Sequence, residues 1–235
     1  MAIKQVVPGL YQISLGIVNT HLFDDEGDLT LVDTGTAGSA DKILAAAGEL
    51  GRQPQDIRRI LVTHLHADHT GSLAELKART GAQVYMHPLD AELVRQGIAS
   101  RPCVPAPGLI KGVFVRASMR KVARVEPAET DVTIAHGQEL PVAGGLRTIV
   151  AAGHTAGQVM FLWPQHGGVL IAGDTASHFF GRLDYPMLFE DMAQGLRDLH
   201  DLAALDFNVA VFSHGRPVLE AASEQFRKKW GRPAQ

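Results

Sequence analysis

Four side chains able to hold a metal, His64, His66, Asp68 and His69, crowd into the run Thr63-His64-Leu65-His66-Ala67-Asp68-His69. The β-branched stretch Ile-Arg-Arg-Ile-Leu-Val-Thr-His predicts a strand ending at His64, and the residues from His69 to Gly81 predict one amphipathic helix. Along a strand or tight loop side chains alternate with period two, so His64 and His66 share a heading and can converge on one metal. Asp68 and His69 lie past the turn and can serve a second. His154, Asp174 and His214 each follow an apolar run and sit beside a glycine, which puts a ligand-type group at the edge of a buried sheet. Imidazole and carboxylate donors suit zinc, and also manganese or iron.

The elements that must position these groups fall into two sets. Residues 6–32 read as antiparallel strands, followed by a helix over about 39–50, the strand before His64, the helix after His69, a strand at Ala-Gln-Val-Tyr-Met-His and a helix opening at Pro88. After residue 125 come four more strand patterns, the first running unbroken from Asp131 to Val142. A helix carrying Leu188, Met192, Leu196, Leu199 and Leu202 follows, then a strand before His214 and a last helix. Strands, helices and an intervening segment in this order predict an α/β, αββα four-layer sandwich: two packed mixed β-sheets with helices on the outer faces. The length fits one domain over 1–235, with a proline-rich lid or insertion at about 100–125.

With 46% hydrophobic and 20% charged residues among 235, the chain can close a full core. Its one cysteine, Cys103, excludes an intrachain disulfide framework and a zinc site built from several thiolates. A net charge of -3 supplies no global basic field, so neither nucleic acid nor an anionic membrane is an expected partner. No apolar run reaches the roughly 20 residues of a membrane span, and the first residues lack a signal-peptide pattern. A cytoplasmic protein acting on a small molecule is expected.

The His-x-His-x-Asp-His run resembles the signature of the metallo-β-lactamase fold hydrolases. Leu-Val-Asp-Thr-Gly at 31–35, Gly-His-Thr-Ala-Gly at 153–157, Ala-Gly-Asp at 172–174 and Ser-His-Gly at 213–215 match that family's other motifs in order. The resemblance implies two divalent metal ions, zinc first among them. It places His64, His66 and His154 on one, and Asp68, His69 and His214 on the other. Asp174 would bridge them, and Asp33 would stand behind the ligands to orient a histidine or a loop. A metal-bridging hydroxide would attack a small ester, thioester or lactone, with Asp68 and Asp174 as the catalytic carboxylates. One departure is Ala156, where the family usually has proline.

β-Lactamases of this fold lack an aspartate at the bridging position, so Asp174 points away from antibiotic hydrolysis. Glyoxalase II enzymes share all seven ligands but usually carry a longer helical C-terminal region, and quorum-quenching lactonases have a similar size and ligand set. The alternatives are a mononuclear non-haem iron enzyme resembling the persulfide dioxygenases, or a β-lactam or phosphodiester hydrolase of the same fold. His178 and Tyr185 follow Asp174 and are candidate substrate contacts. Arg116 and Arg120 belong to a cationic stretch without acidic residues at 101–124, which would favour an anionic substrate if it overhangs the metals. The apolar residues of that stretch could equally form a homodimer contact.

Overall fold

The computed structural model describes residues 3–108, 111, 112, 115 and 122–231. Its first sheet contains β1 (Ile3–Val7), β2 (Leu10–Ser14), β3 (Asn19–Asp25), β4 (Asp28–Val32), β5 (Ile57–Leu61) and β6 (Gln83–Met86), with β8 (Val132–Thr133) at the edge. β1 to β4 pair antiparallel, and β4, β5, β6 and β8 run parallel. The second sheet is ordered β16 (Val209–Val211), β12 (Val169–Ile171), β11 (Val159–Trp163), β10 (Leu146–Val150) and β9 (Glu139–Leu140). Only its β12–β16 pair is parallel. Two short antiparallel pairs complete the set, β7 (Val104–Pro105) with β15 (Leu188–Phe189) and β13 (Ser177–Phe179) with β14 (Arg182–Asp184).

Side-chain alternation builds the layers. Leu22, Leu31 and Ile60 point out to helices α1 (Ala40–Glu49), α3 (Leu73–Thr80) and α4 (Pro88–Arg95), while Phe23, Val32 and Leu61 point to the second sheet. In the second sheet Phe161, Ile171 and Val211 face inward. Met160, Leu170 and Ala210 face helices α5 (Met192–Ala203) and α6 (Ala222–Trp230). Both faces of both sheets are therefore buried, which is why the central strands read as continuous apolar runs. The αββα sandwich expected from the sequence is present.

Three local readings differ. The helix expected from His69 to Gly81 is two, α2 (Ala67–Thr70) and α3, because Gly71 packs against the 33–39 loop. A Cβ at Gly71 would lie 2.3 Å from the Ala37 nitrogen. The single strand expected from Asp131 to Val142 is split between the sheets: Val132–Thr133 pairs with β6, and Glu139–Leu140 with β10. Leu188 pairs with Pro105 as a strand, because Asp191 caps α5 by accepting from the Gln194 N–H and starts that helix at Met192. Among the described residues no helix is long and apolar enough to cross a membrane.

Candidate metal centre

The motif residues follow the C-terminal ends of five strands. Asp33 comes after β4, His64 and His66 after β5, His154 after β10, Asp174 after β12 and His214 after β16. Within each sheet these strands run the same way, so their ends meet at one rim of the sandwich. The Val159 N–H donates to the Thr63 carbonyl at 2.8 Å and joins the two halves.

Three ring nitrogens, His64 Nε2, His66 Nδ1 and His154 Nε2, lie 3.0 to 3.2 Å from one another. Asp68, His69 and His214 form a second group, with Asp68 Oδ2 3.3 Å from His214 Nε2 and Asp68 Oδ1 3.7 Å from His69 Nε2. Asp174 reaches both: its oxygens lie 3.6 Å from His154 Nε2, 3.3 Å from His214 Nε2 and 3.7 Å from His69 Nε2.

Hydrogen bonds behind the rings fix the tautomers. The Nδ1–H groups of His154 and His214 donate to the carbonyls of Leu188 and Ile17 at 2.9 and 2.8 Å. His69 Nδ1–H donates to Asp33 Oδ2 at 2.9 Å. The Thr63 hydroxyl spends its proton on the same Asp33 oxygen at 2.8 Å, so it accepts from His64 Nδ1 at 3.0 Å. In the neutral form each of these four rings then presents an Nε2 lone pair to the centre. His69 Nε2 and Asp174 Oδ1 are buried without a hydrogen-bond partner among the described residues. Converging ring nitrogens and buried polar atoms without a partner fit a divalent cation.

The sequence profile of the Metallo-beta-lactamase superfamily matches residues 13–214. The chain belongs to that superfamily. Among its relatives, the uncharacterized protein YobT of Bacillus subtilis is 32% identical over 67% of this chain and 61% of that one. A hydroxyacylglutathione hydrolase of Anaeromyxobacter dehalogenans is 34% identical over 66% of this chain and 45% of its own length. The chain thus spans about half the length of these curated relatives. A β-lactamase from Chitinophaga pinensis superposes with a TM-score of 0.71, at 22% identity, over 98% of this chain and 91% of that one. At that identity the likeness is one of fold.

In this superfamily member the two groups differ in charge. Burial, then the neighbouring imidazoles, drives His64 well below its ordinary pKa and His66 down to about 3, and burial also lowers His154. Burial opposes charge at His69 and His214 too, but the carboxylates win. Asp68, Asp33 and Asp174 push His69 up to about 9, and Asp174 with Asp68 pushes His214 up to about 11. The two histidines in turn hold Asp68 and Asp174 well below the usual carboxylate range against the cost of burial. The first group is neutral and ready to coordinate, whereas the second must release protons to do so.

Asp33 holds this geometry in a left-handed backbone conformation, φ 63°, which aspartate tolerates. Its carboxylate accepts the Thr63 N–H at 2.8 Å besides the Thr63 hydroxyl and His69. Asp33→Asn puts one amide N–H against a donor in a site 2% exposed. Thermal denaturation is expected to show a loss of about 2 kcal/mol, roughly 5 °C in Tm. An unchanged Tm would mean that Asp33 does not organise the loop.

Among the described residues, a cavity of about 770 Å³ opens over the centre. Ile17, Ala99, Val115, Phe179, Met187 and Leu188 supply apolar wall, and Ser14, Asn19, Ser177 and Arg216 the polar points. His178 and Tyr185 are not brought to it. His178 Nδ1–H donates to the Arg216 carbonyl at 2.8 Å, and the Tyr185 ring lies against Trp230 and the Lys111 and Lys229 ammonium groups. Arg116 and Arg120 lie outside the described residues. Two of their cationic neighbours are spoken for, Arg101 by Asp90 and Glu190, and Lys111 by Asp184. Sequence reasoning missed Thr63, visible only as the residue before the motif, and the cavity walls at Ile17 and Met187, which carry no local signal.

Proposed function

We propose that this chain is a two-metal hydrolase of small esters, thioesters or lactones with an apolar acyl group, zinc being the first candidate. The observation that carries the reading is Asp174, a carboxylate whose oxygens reach histidines of both groups. His64, His66 and His154 would hold one ion, Asp68, His69 and His214 the other, and Asp174 both. Bound there, divalent ions lower the pKa of a water towards neutrality and polarise an acyl oxygen. The chain's own residues do the rest. Asp68 lines the cavity beside the centre, where its carboxylate can pass a proton to the leaving group. The wall of Ile17, Val115, Phe179 and Met187 takes the acyl chain out of water and holds its carbonyl over the centre. The hydroxyacylglutathione hydrolase among the relatives supports acyl transfer to water as the reaction class.

Metal analysis of protein purified without added metal, followed by a panel of lactones, thioesters, β-lactams and phosphodiesters, tests this. Two divalent ions per chain are expected. Acyl substrates should gain about threefold in kcat/KM per added methylene until the cavity fills. One iron per chain with oxygen consumption on a persulfide, or preferential β-lactam turnover, would overturn it.

A further inference from the structure

The three histidines His64, His66 and His154 stand on two loops from two different sheets, and one buried carboxylate joins those loops. Asp90, in the first turn of α4, is fully buried. Its Oδ2 accepts the Leu65 N–H at 3.1 Å, between His64 and His66, and the Thr155 hydroxyl at 2.8 Å, next to His154. Its Oδ1 accepts from Arg101 Nη1 at 2.6 Å. The second loop approaches so closely that a Cβ at Gly157 would lie 2.6 Å from Asp90 Cγ.

A parallel clamp lies beside it. Arg101 also bonds both Glu190 oxygens at 3.3 and 3.4 Å, and Glu190 Oε2 accepts the Ala156 N–H at 2.8 Å. The backbone N–H groups of Glu190 and Asp191 donate to the carbonyls of His154 and Gly153 at 3.1 and 3.0 Å. The Asp90 bonds set the distance between the His64–His66 loop and the His154 loop, the Glu190 and Asp191 bonds brace the His154 loop from behind, and Asp90, Arg101, Thr155 and Glu190 do not line the cavity. With His66 Nδ1 also presenting its lone pair, as metal binding requires, three imidazole lone pairs at 3.0 to 3.2 Å repel one another, and contacts behind the rings must hold that spacing.

We propose that Asp90, charge-balanced by Arg101, is the positioning residue that presets the three-histidine group for its metal. The proposal rests on the metal reading of those histidines. Because the polar partners of Asp90 among the described residues are Leu65, Thr155 and Arg101, and none belongs to the Asp68–His69–His214 group, its loss acts first on one metal site.

The test is zinc titration against a chromophoric chelator, with cobalt absorption spectra of the same proteins, for wild type, Asp90→Asn and Thr155→Val. Asp131→Asn is the control, a carboxylate bonded to Lys77 and the Val84 N–H far from the centre. Asp90→Asn is expected to weaken one of the two zinc steps by about 10- to 100-fold and to change the cobalt spectrum of that site. Thr155→Val removes a single clamp bond and should weaken the same step by less. Asp131→Asn should leave both steps alone. Should Asp90→Asn fail to fold, Thr155→Val decides. Zinc steps and cobalt spectra identical to wild type, with only Tm lowered, would overturn the proposal and leave Asp90 a purely structural residue. A wild-type chain that binds no metal would instead remove the metal reading itself.

Discussion

Asp174→Ala is expected to lower kcat/KM for acyl substrates by at least about 1000-fold while leaving the far-ultraviolet circular dichroism spectrum unchanged. The carboxylate lies within 3.7 Å of histidines from both halves of the centre. Without it the His64–His66–His154 group keeps its three nitrogens, whereas the other group loses the charge that most strongly supports His214. The variant should therefore bind one metal ion tightly and the second weakly or not at all. Fold and centre are separable here, because Asp174 lies in the loop after β12, outside the strands and helices, and its carboxylate is directed at the histidines. Metal content, turnover and Tm measured on one preparation check all three statements. Turnover within tenfold of wild type would sink the bridged pair.

Gly153→Ala is expected to cost about 3 kcal/mol or more, roughly 10 °C in Tm, and to damage activity as well. The Cβ would sit 2.1 Å from both the Cα and the nitrogen of Gly195 in α5, backbone atoms that have no rotamer in which to escape. Gly153 is also pinned, its N–H donating to Asp198 Oδ2 at 2.8 Å and its carbonyl accepting from the Asp191 N–H. Whatever relieves the overlap must shift the loop that carries His154. Gly48→Ala gives the opposite sign. That glycine lies in the exposed last turn of α1 with open space where the Cβ would go, so alanine should stabilise by about 0.5 to 1 kcal/mol. Equal Tm changes in the two variants would show that backbone proximity at Gly153 does not control stability.

Much of the site was legible because it lies in short motifs at strand ends. A strand fixes the heading of its last residues, so His64, His66, His154, Asp174 and His214 could be placed at one sheet rim from periodicity and neighbouring glycines. The continuous apolar runs likewise disclosed strands buried on both faces. Where the readings went astray, a partner distant in the chain decided the outcome. Gly71 breaks its helix because residues 36 and 37 press on it, and Val132 and Leu140 enter different sheets because β6 and β10 capture them. His178 and Tyr185 looked available for substrate from their nearness to Asp174, yet the Arg216 carbonyl and the Trp230 ring hold them elsewhere.

The sequence by itself determined the chemistry: nitrogen and oxygen donors, no thiolate cluster, and the order of the strands that deliver them. Only the tertiary structure decided which lone pairs face one another, since each Nδ1 proton is directed by a carbonyl, carboxylate or hydroxyl brought from elsewhere in the chain. It also gave the different charges of the two histidine groups, one neutral and one protonated, because burial and carboxylate distance are properties of packing. The link from Asp90 to both ligand loops belongs with these. A carboxylate in the first turn of a helix reads as ordinary helix chemistry until folding sets it against two ligand loops.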